Sequence, residues 1–262
     1  MRYLTPCFLL MLMLVLPGAS PANDPLARGE EIAREAERRD KGFVDSISSV
    51  EMILTDSSGG EARRYLTIKT FEREKAGDGH KSLVIFHEPL DVKGTTLLTH
   101  GEIFEADQQW LYLPALKRVK RVPSSNKAGP FMASEFSYED MLPPEVERYT
   151  HRYLGEVRCG DMRCFKIERT PKDKDSGYDK QIAYLDAEEY RLQRVDYFDR
   201  KQTHFKTLFF KDYVQYQDRF WRAESMTMVN HRSGKTTYLI WGAFAFQNGF
   251  TDADFSRVAM RQ

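Results

Sequence analysis

From Phe43 onward, apolar and polar residues follow one another with a period of two. Val50, Met52 and Leu54 alternate with Ser49 and Glu51, and Leu66 and Ile68 alternate with Tyr65, Thr67 and Lys69. Between them Asp56-Ser57-Ser58-Gly59-Gly60 has turn composition, so the pair predicts a β-hairpin. Gly77-Asp78-Gly79 predicts a second turn, followed by strands at Leu83–His87 and Thr95–Thr99 and a pair, Trp110–Leu113 and Leu116–Val122, around Pro114. Alternating segments return at Tyr149–Arg158, Phe165–Arg169, Gln181–Asp186, Tyr190–Phe198, Thr203–Tyr216, Phe220–Asn230 and Thr236–Phe246. About a dozen strands joined by turn-rich links predict one large antiparallel sheet, strongly curved or partly closed. There is no fixed-period repeat and no flexible linker, so residues 23–262 read as a single domain.

Helical signals are confined to the N-terminal side. Asn23 or Asp24 can cap a helix that has Pro25 in its first turn and ends near Asp40, ahead of Gly42. Its apolar stripe, Leu26, Ile32, Ala33 and Ala36, is narrow, which fits a half-exposed helix laid over a sheet or a cavity mouth. Before it, Arg2, the apolar run Phe8–Leu16 and the small residues of 17–22 read as a secretory leader cleaved after Ala22. Nine apolar residues are too few to cross a bilayer, and no later segment reaches that length. The leader predicts a soluble periplasmic protein whose only remaining cysteines, Cys159 and Cys164, form a disulfide at a hairpin tip around Gly160-Asp161.

Several strands, such as Leu208-Phe209-Phe210 and Thr236–Trp241, are apolar on both faces and need cover on both sides. In a curved sheet one side can pack on helices while the other lines an apolar cavity; an ordinary two-layer core is the alternative. Residues 123–144, with Pro123, Gly129, Pro130, Pro143 and Pro144, interrupt the strand pattern and read either as a lid or as a cap packed permanently on the sheet.

Composition narrows the chemistry. The 262 residues carry 39 Lys+Arg and 39 Asp+Glu, so a nucleic-acid partner is not expected. Hydrophobic residues at 41% exclude wholesale disorder, and 13% aromatics suit a ligand-lined interior. His80, His87, His100, His151, His204 and His231 are scattered, and no nucleophile elbow, phosphate loop or dinucleotide fingerprint is present. No enzyme activity, metal or cofactor is therefore expected. The basic run Lys117-Arg118-Val119-Lys120-Arg121 reads as a solvated strand face, or, beside an apolar cavity, as a contact for lipid phosphates or an acidic partner.

Three stretches carry a resemblance: Phe86-His87-Glu88-Pro89-Leu90-Asp91-Val92-Lys93-Gly94-Thr95, Trp110–Arg121, and Phe131-Met132-Ala133-Ser134-Glu135-Phe136-Ser137-Tyr138-Glu139-Asp140. They are similar to the outer-membrane lipoprotein-sorting protein family, whose members look like the periplasmic carrier LolA. Where that family often has Gly-Ser-Asp this chain has Ala133-Ser134-Glu135. The resemblance implies a mainly β fold, an incomplete antiparallel β-barrel with a few capping helices, whose apolar concave face carries acyl chains of lipids or lipoproteins toward the outer membrane. It also implies a possible inner-membrane partner, a transporter of the resistance-nodulation-division type. A monomer is expected. Candidate cavity residues are Leu66, Ile68, Leu83, Ile85, Trp110, Tyr112, Phe131, Met132, Phe209, Met226, Met228 and Trp241, with Arg118, Lys120 and Arg121 as headgroup or partner contacts. Alternation alone leaves open which strand face is concave. An adaptor or sensor of the same fold, docking to a membrane complex without carrying lipid, is the alternative function.

Overall fold

A computed structural model describes residues 24–72, 78–141 and 145–261. The leader, Gly77 and residues 142–144 fall outside the described residues. Helix α1 spans Pro25–Asp40, with Asp24 as N-cap: its carboxylate accepts from the Leu26 backbone N–H at 2.9 Å. The strands are β1 (Asp45–Thr55), β2 (Glu61–Phe71), β3 (Asp78–Glu88), β4 (Thr96–Glu102), β5 (Gln108–Leu113), β6 (Arg118–Val122), β7 (Tyr149–Cys159), β8 (Met162–Pro171), β9 (Lys180–Asp186), β10 (Leu192–Phe198), β11 (His204–Tyr216), β12 (Phe220–Asn230), β13 (Thr236–Trp241) and β14 (Ala245–Phe246).

All pairings are antiparallel, and the order is β6-β5-β4-β3-β2-β1-β13-β12-β11-β10-β9-β8-β7, with β14 beside the start of β1. Two meanders, β1 to β6 and β7 to β13, meet at the β1–β13 seam, where Val50 pairs with Trp241 and Met52 with Leu239. The sheet is open because its edges, β6 and β7, do not pair. This is the expected incomplete barrel, capped among the described residues by one α-helix and several short 3-10 helices. The expected strand 236–246 is interrupted at Gly242, whose Cβ position would lie 2.5 Å from Ser49 Oγ. Asp78 and Gly79, expected in a turn, begin β3.

The two edge strands are consecutive in the chain, and the described part of the link between them, 123–141, crosses the open side. It does so through the interior. Phe131 and Phe136 are buried within the main core, with Phe131 5.8 Å from the Phe86 ring and 5.5 Å from the Tyr138 ring. The same core takes Val50 and Met52 from β1, Leu66 from β2, Val84 and Phe86 from β3, Ile167, Ala183 and Val195 from β8 to β10, and Met228 and Leu239 from β12 and β13. These residues define the concave face.

A second core lies on the convex face. There Phe71, Leu83 and Leu98 are covered by Phe255 and Met260 of the C-terminal segment, with Ile85, Trp110, Tyr112 and Val119 at its margin. The segment is held by the wholly buried Asp45, whose carboxylate accepts from the backbone N–H groups of Asn248, Gly249 and Phe250 at 2.7–3.1 Å. Opposite burial on the two faces explains why β3 reads Leu83-Val84-Ile85-Phe86 without alternation.

At the tip of the β7–β8 hairpin Cys159 and Cys164 form the expected disulfide, Cα atoms 6.0 Å apart. They are diagonal rather than opposed: Cys159 pairs with Met162, and Cys164 with Val157.

Candidate functional site

Of the residues expected to line a cavity, the structure places Leu66, Ile68, Met226, Met228 and Trp241 on the concave face, where Phe131 and Met132 of the crossing segment pack on them. It places Leu83, Ile85, Trp110 and Tyr112 in the convex core under the C-terminal segment. Phe209 is on the convex face too, opposite Arg194, whose guanidinium stands 5.8 Å from its ring. The physical reason is the period of two: Leu83 and Val84 are equally apolar, and only tertiary cover tells their faces apart. The concave wall around Met226, Met228 and Trp241 is filled by the protein's own side chains.

An open space lies between α1 and β7 to β12, as a cavity of about 610 Å³. None of the twelve expected residues lines it. Its roof is Ala33 and Ala36 of α1, its floor Ile167, Ala183 and Leu185, and its side Tyr190, Leu192, Tyr213 and Trp221. Alanines on roof and floor are the local cause of the void, because close-packed interiors leave such space only where side chains are too short to meet. The helix is seated close to the sheet by Gly29, where a Cβ would stand 2.7 Å from the His151 carbonyl, and by Ile32, which is fully buried. The narrow Ile32-Ala33-Ala36 stripe was the sequence signal for this site. The floor carried none, since Ala183 sits in an ordinary strand.

Charged side chains rim the cavity in pairs. Arg38 and Arg39 bind Glu35, Arg191 binds Asp186 at 2.8 Å, Arg222 binds Asp40, and Arg219 donates to the Lys41 carbonyl. Glu37, Glu145 and Glu147 form an acidic group at one edge, bridged to Lys41 at 3.1 Å and Arg34 at 3.3 Å. The rim is therefore nearly neutral.

Deeper in, a row of polar side chains crosses the concave face at one level. Cross-strand register places His151 (β7), Arg169 (β8), Gln181 (β9), Tyr197 (β10), Lys206 (β11) and Asn230 (β12) side by side. At one end the crossing segment satisfies it. Lys206 Nζ donates to Tyr178 Oη at 2.7 Å and to the Glu135 carbonyl at 3.1 Å, and Asn230 Nδ2 donates to Glu135 Oε2 at 2.6 Å. The Glu135 N–H in turn donates to Thr237 Oγ1 at 2.9 Å. Burial raises Tyr178 and Tyr197 well above the usual phenol range, and Glu139 above the usual carboxylate range. At the other end His151 and Arg169 are part of the cavity wall. Burial pushes His151 down to about 4, so its imidazole is neutral near pH 7. These polar positions were invisible in the sequence as a set, because register alone brings six strands' residues into line.

The expected headgroup contacts Arg118, Lys120 and Arg121 lie on the edge strand β6, away from this cavity. Pairing of Trp110 with Arg121 and of Leu111 with Lys120 sends those two cations to opposite faces. Arg118 and Arg121 border a separate groove of about 650 Å³ with Trp110, Lys117, Arg257 and Arg261. No helix among the described residues is long and apolar enough to cross a membrane.

Known proteins share this architecture. The sequence family described as "Uncharacterized protein" matches residues 78–262. An outer membrane lipoprotein-sorting protein domain from Vibrio parahaemolyticus is 45% identical, with a TM-score of 0.87 over 90% of this chain and 99% of that one. A DUF1329 family protein from Desulfovibrio piger is 29% identical, with a TM-score of 0.86 over 91% and 100% of the two chains. A LolA superfamily protein from Nitrosomonas europaea, at 14% identity and a TM-score of 0.71 over 88% of this chain and 98% of that one, shares the fold. No curated protein matches the chain.

Proposed function

Because the chain belongs to the outer-membrane lipoprotein-sorting protein family, we propose that it is a periplasmic carrier that holds an acyl chain of a lipid or lipoprotein in the cavity under α1. The observation that carries this reading is the cavity itself: about 610 Å³, walled by Ala33, Ala36, Ile167, Ala183 and Leu185. That volume lies within the ~300–1,000 Å³ of small-ligand pockets. Each methylene moved from water into such a site gains about 0.8 kcal/mol, so a chain is held with no covalent step. The secretory character of residues 1–22 and the disulfide fit an oxidising compartment.

Native mass spectrometry with lipid extraction of the purified protein tests it. Acyl-containing species co-purify with the wild type, and Ala183→Trp, which fills the floor, strips them while the protein stays folded. Undiminished retention in that variant refutes the cavity assignment. Trp110→Ala, on the convex face, keeps its cargo.

A second reading is favoured by the groove of Trp110, Lys117, Arg118, Arg121, Arg257 and Arg261, for which the described residues provide no ion pair. Such a cationic face suits docking on an acidic surface of a membrane complex, of which a transporter of the resistance-nodulation-division type is the expected kind. Protein that is empty of lipid yet retained by such a partner supports an adaptor instead of a carrier.

A further inference from the structure

Among the described residues, the cavity wall contains one arginine left uncompensated. Six arginines line the space, and five of them, Arg38, Arg39, Arg191, Arg219 and Arg222, are bound to a carboxylate or a backbone carbonyl. The sixth, Arg169, is the most deeply placed: only 8% of its surface is exposed, its Nε has no hydrogen-bond partner, and no ion pair reaches it among the described residues. Its guanidinium stands over the Tyr149 ring at 5.7 Å, and the acidic groups whose charge bears on it are two phenols, Tyr149 and Tyr197, with no carboxylate. Burial holds Tyr149 up at about 12, so that phenol is neutral and offers no counter-charge near pH 7.

Beside Arg169 in the register is His151. Its Nε2 bonds the Val146 carbonyl at 3.1 Å, which can only accept, so the proton is on Nε2 and the bare Nδ1 is an acceptor. That Nδ1 has no hydrogen-bond partner among the described residues either. The other end of the same polar row shows the contrast. Lys206, equally buried, is surrounded by Tyr178, the Glu135 carbonyl and, at 3.5 Å, Asp140. An arginine cannot shed its charge by deprotonation, and a buried cation without a counter-ion is strongly disfavoured, so a guanidinium left without one among the described residues suits an anion supplied by a ligand.

We propose that Arg169 is the headgroup site of the cavity: it binds the anionic oxygen group, phosphate or carboxylate, of a single- or double-chain amphiphile whose hydrocarbon lies along Ala33, Ala36, Ala183 and Leu185. His151 Nδ1 accepts from a hydroxyl or water that accompanies the head. The inference rests on the carrier reading above and adds to it the polarity of the cargo. Arginine suits the role because its planar fork matches both oxyanions in bidentate geometry. The site is at the inner end of the space, so the cargo enters head first and its chain points toward α1 and the paired, near-neutral rim.

Displacement of a fluorescent apolar probe, 1-N-phenylnaphthylamine, from the delipidated full protein tests this with four competitors: dodecanoate, dodecyl phosphate, dodecanol and inorganic phosphate. The wild type takes one or both anionic amphiphiles at concentrations at least tenfold below dodecanol, the order expected for a charge-assisted bond. Which of the two is tighter assigns the head as carboxylate or phosphate. Arg169→Gln brings both to the level of dodecanol and leaves dodecanol unchanged, whereas Arg169→Lys keeps most of the preference. An undiminished preference in Arg169→Gln overturns the headgroup site while leaving the carrier reading intact. Failure of all three amphiphiles, dodecanol included, to displace the probe from the wild type overturns the carrier reading itself. Inorganic phosphate that competes as well as dodecyl phosphate shows a free-anion site and overturns the amphiphile. A thermal melt controls for folding: Arg169→Gln melts at or above the wild type, since it removes an unpaired buried charge. A large fall in melting temperature reveals a structural counter-ion and sinks the proposal.

Discussion

At the scale of single residues, His151 controls a measurable pH dependence. Its imidazole is held at about 4 against an ordinary 6.5, chiefly because burial disfavours the cation, and secondly through Arg169 and Lys172 nearby; the bond to the Val146 carbonyl and the charge of Glu30 on α1 act in the opposite direction. The unfolded chain therefore binds a proton below pH 6.5 that the folded chain refuses until about pH 4. Stability is unaffected above that window and is lost as pH falls through it, by a few kcal/mol in all. His151→Gln flattens the wild-type loss between pH 6.5 and 4 in denaturant titrations; equal slopes for the two proteins would show that the imidazole is not buried neutral. Phe131 acts through volume instead. It is fully buried between Phe86 and Tyr138, so Phe131→Ala costs about 3–5 kcal/mol.

At the scale of elements, two segments decide what is hollow and what is filled. Helix α1 roofs the cavity, and its distance from the sheet is set by Gly29, where any Cβ would meet the backbone of His151 and Tyr153 at 2.7–2.8 Å. Gly29→Ala raises helix propensity by about 1 kcal/mol, but overpacking against a backbone that cannot yield costs about 1–3 kcal/mol. The second effect wins: the variant melts below the wild type and its N-terminal residues become easier to cleave by protease. The C-terminal segment is the convex counterpart. Asp45→Ala leaves the N–H groups of Asn248, Gly249 and Phe250 without their acceptor, at a cost of about 1–3 kcal/mol or more. Hydrogen exchange speeds up over 248–261 while the α1 region stays protected, which separates the two covers. Residues 123–144 read from sequence as either a lid or a permanent cap; their described part, 123–141, is tied to three strands through Lys206, Asn230 and Thr237. Those bonds favour the cap.

At the scale of the whole molecule, the open sheet is what makes a carrier possible. Here β6 and β7 stop short of pairing, and one connection fills part of the interior. The basic residues of β6 have a plain structural use as well, since charge on an edge strand discourages pairing with another chain. The part under α1 has walls but no filling of its own. A cargo that occupies it binds the folded state alone, so lipid extraction lowers the melting temperature and re-addition of an acyl amphiphile restores it. A melting temperature indifferent to both treatments would contradict the carrier reading at this scale.

The alternation of Val50, Met52 and Leu54, the turn at 56–60 and their repeats down the chain were enough to determine an antiparallel sheet and nearly every strand, because period two is a local property of the pleat. The cap at Asp24, the short-side-chain stripe of α1 and the Cys159–Cys164 clamp were local too, and equally legible. The placement of the cavity was not. Leu83 and Val84, or Trp110 and Leu111, are alike to any pattern, and only the chain segment that covers each face separates them. Likewise His151, Arg169 and Lys206 are far apart in sequence and unremarkable one by one; strand register sets them in a row, and the path of residues 123–141 gives Lys206 its partners Glu135 and Asp140.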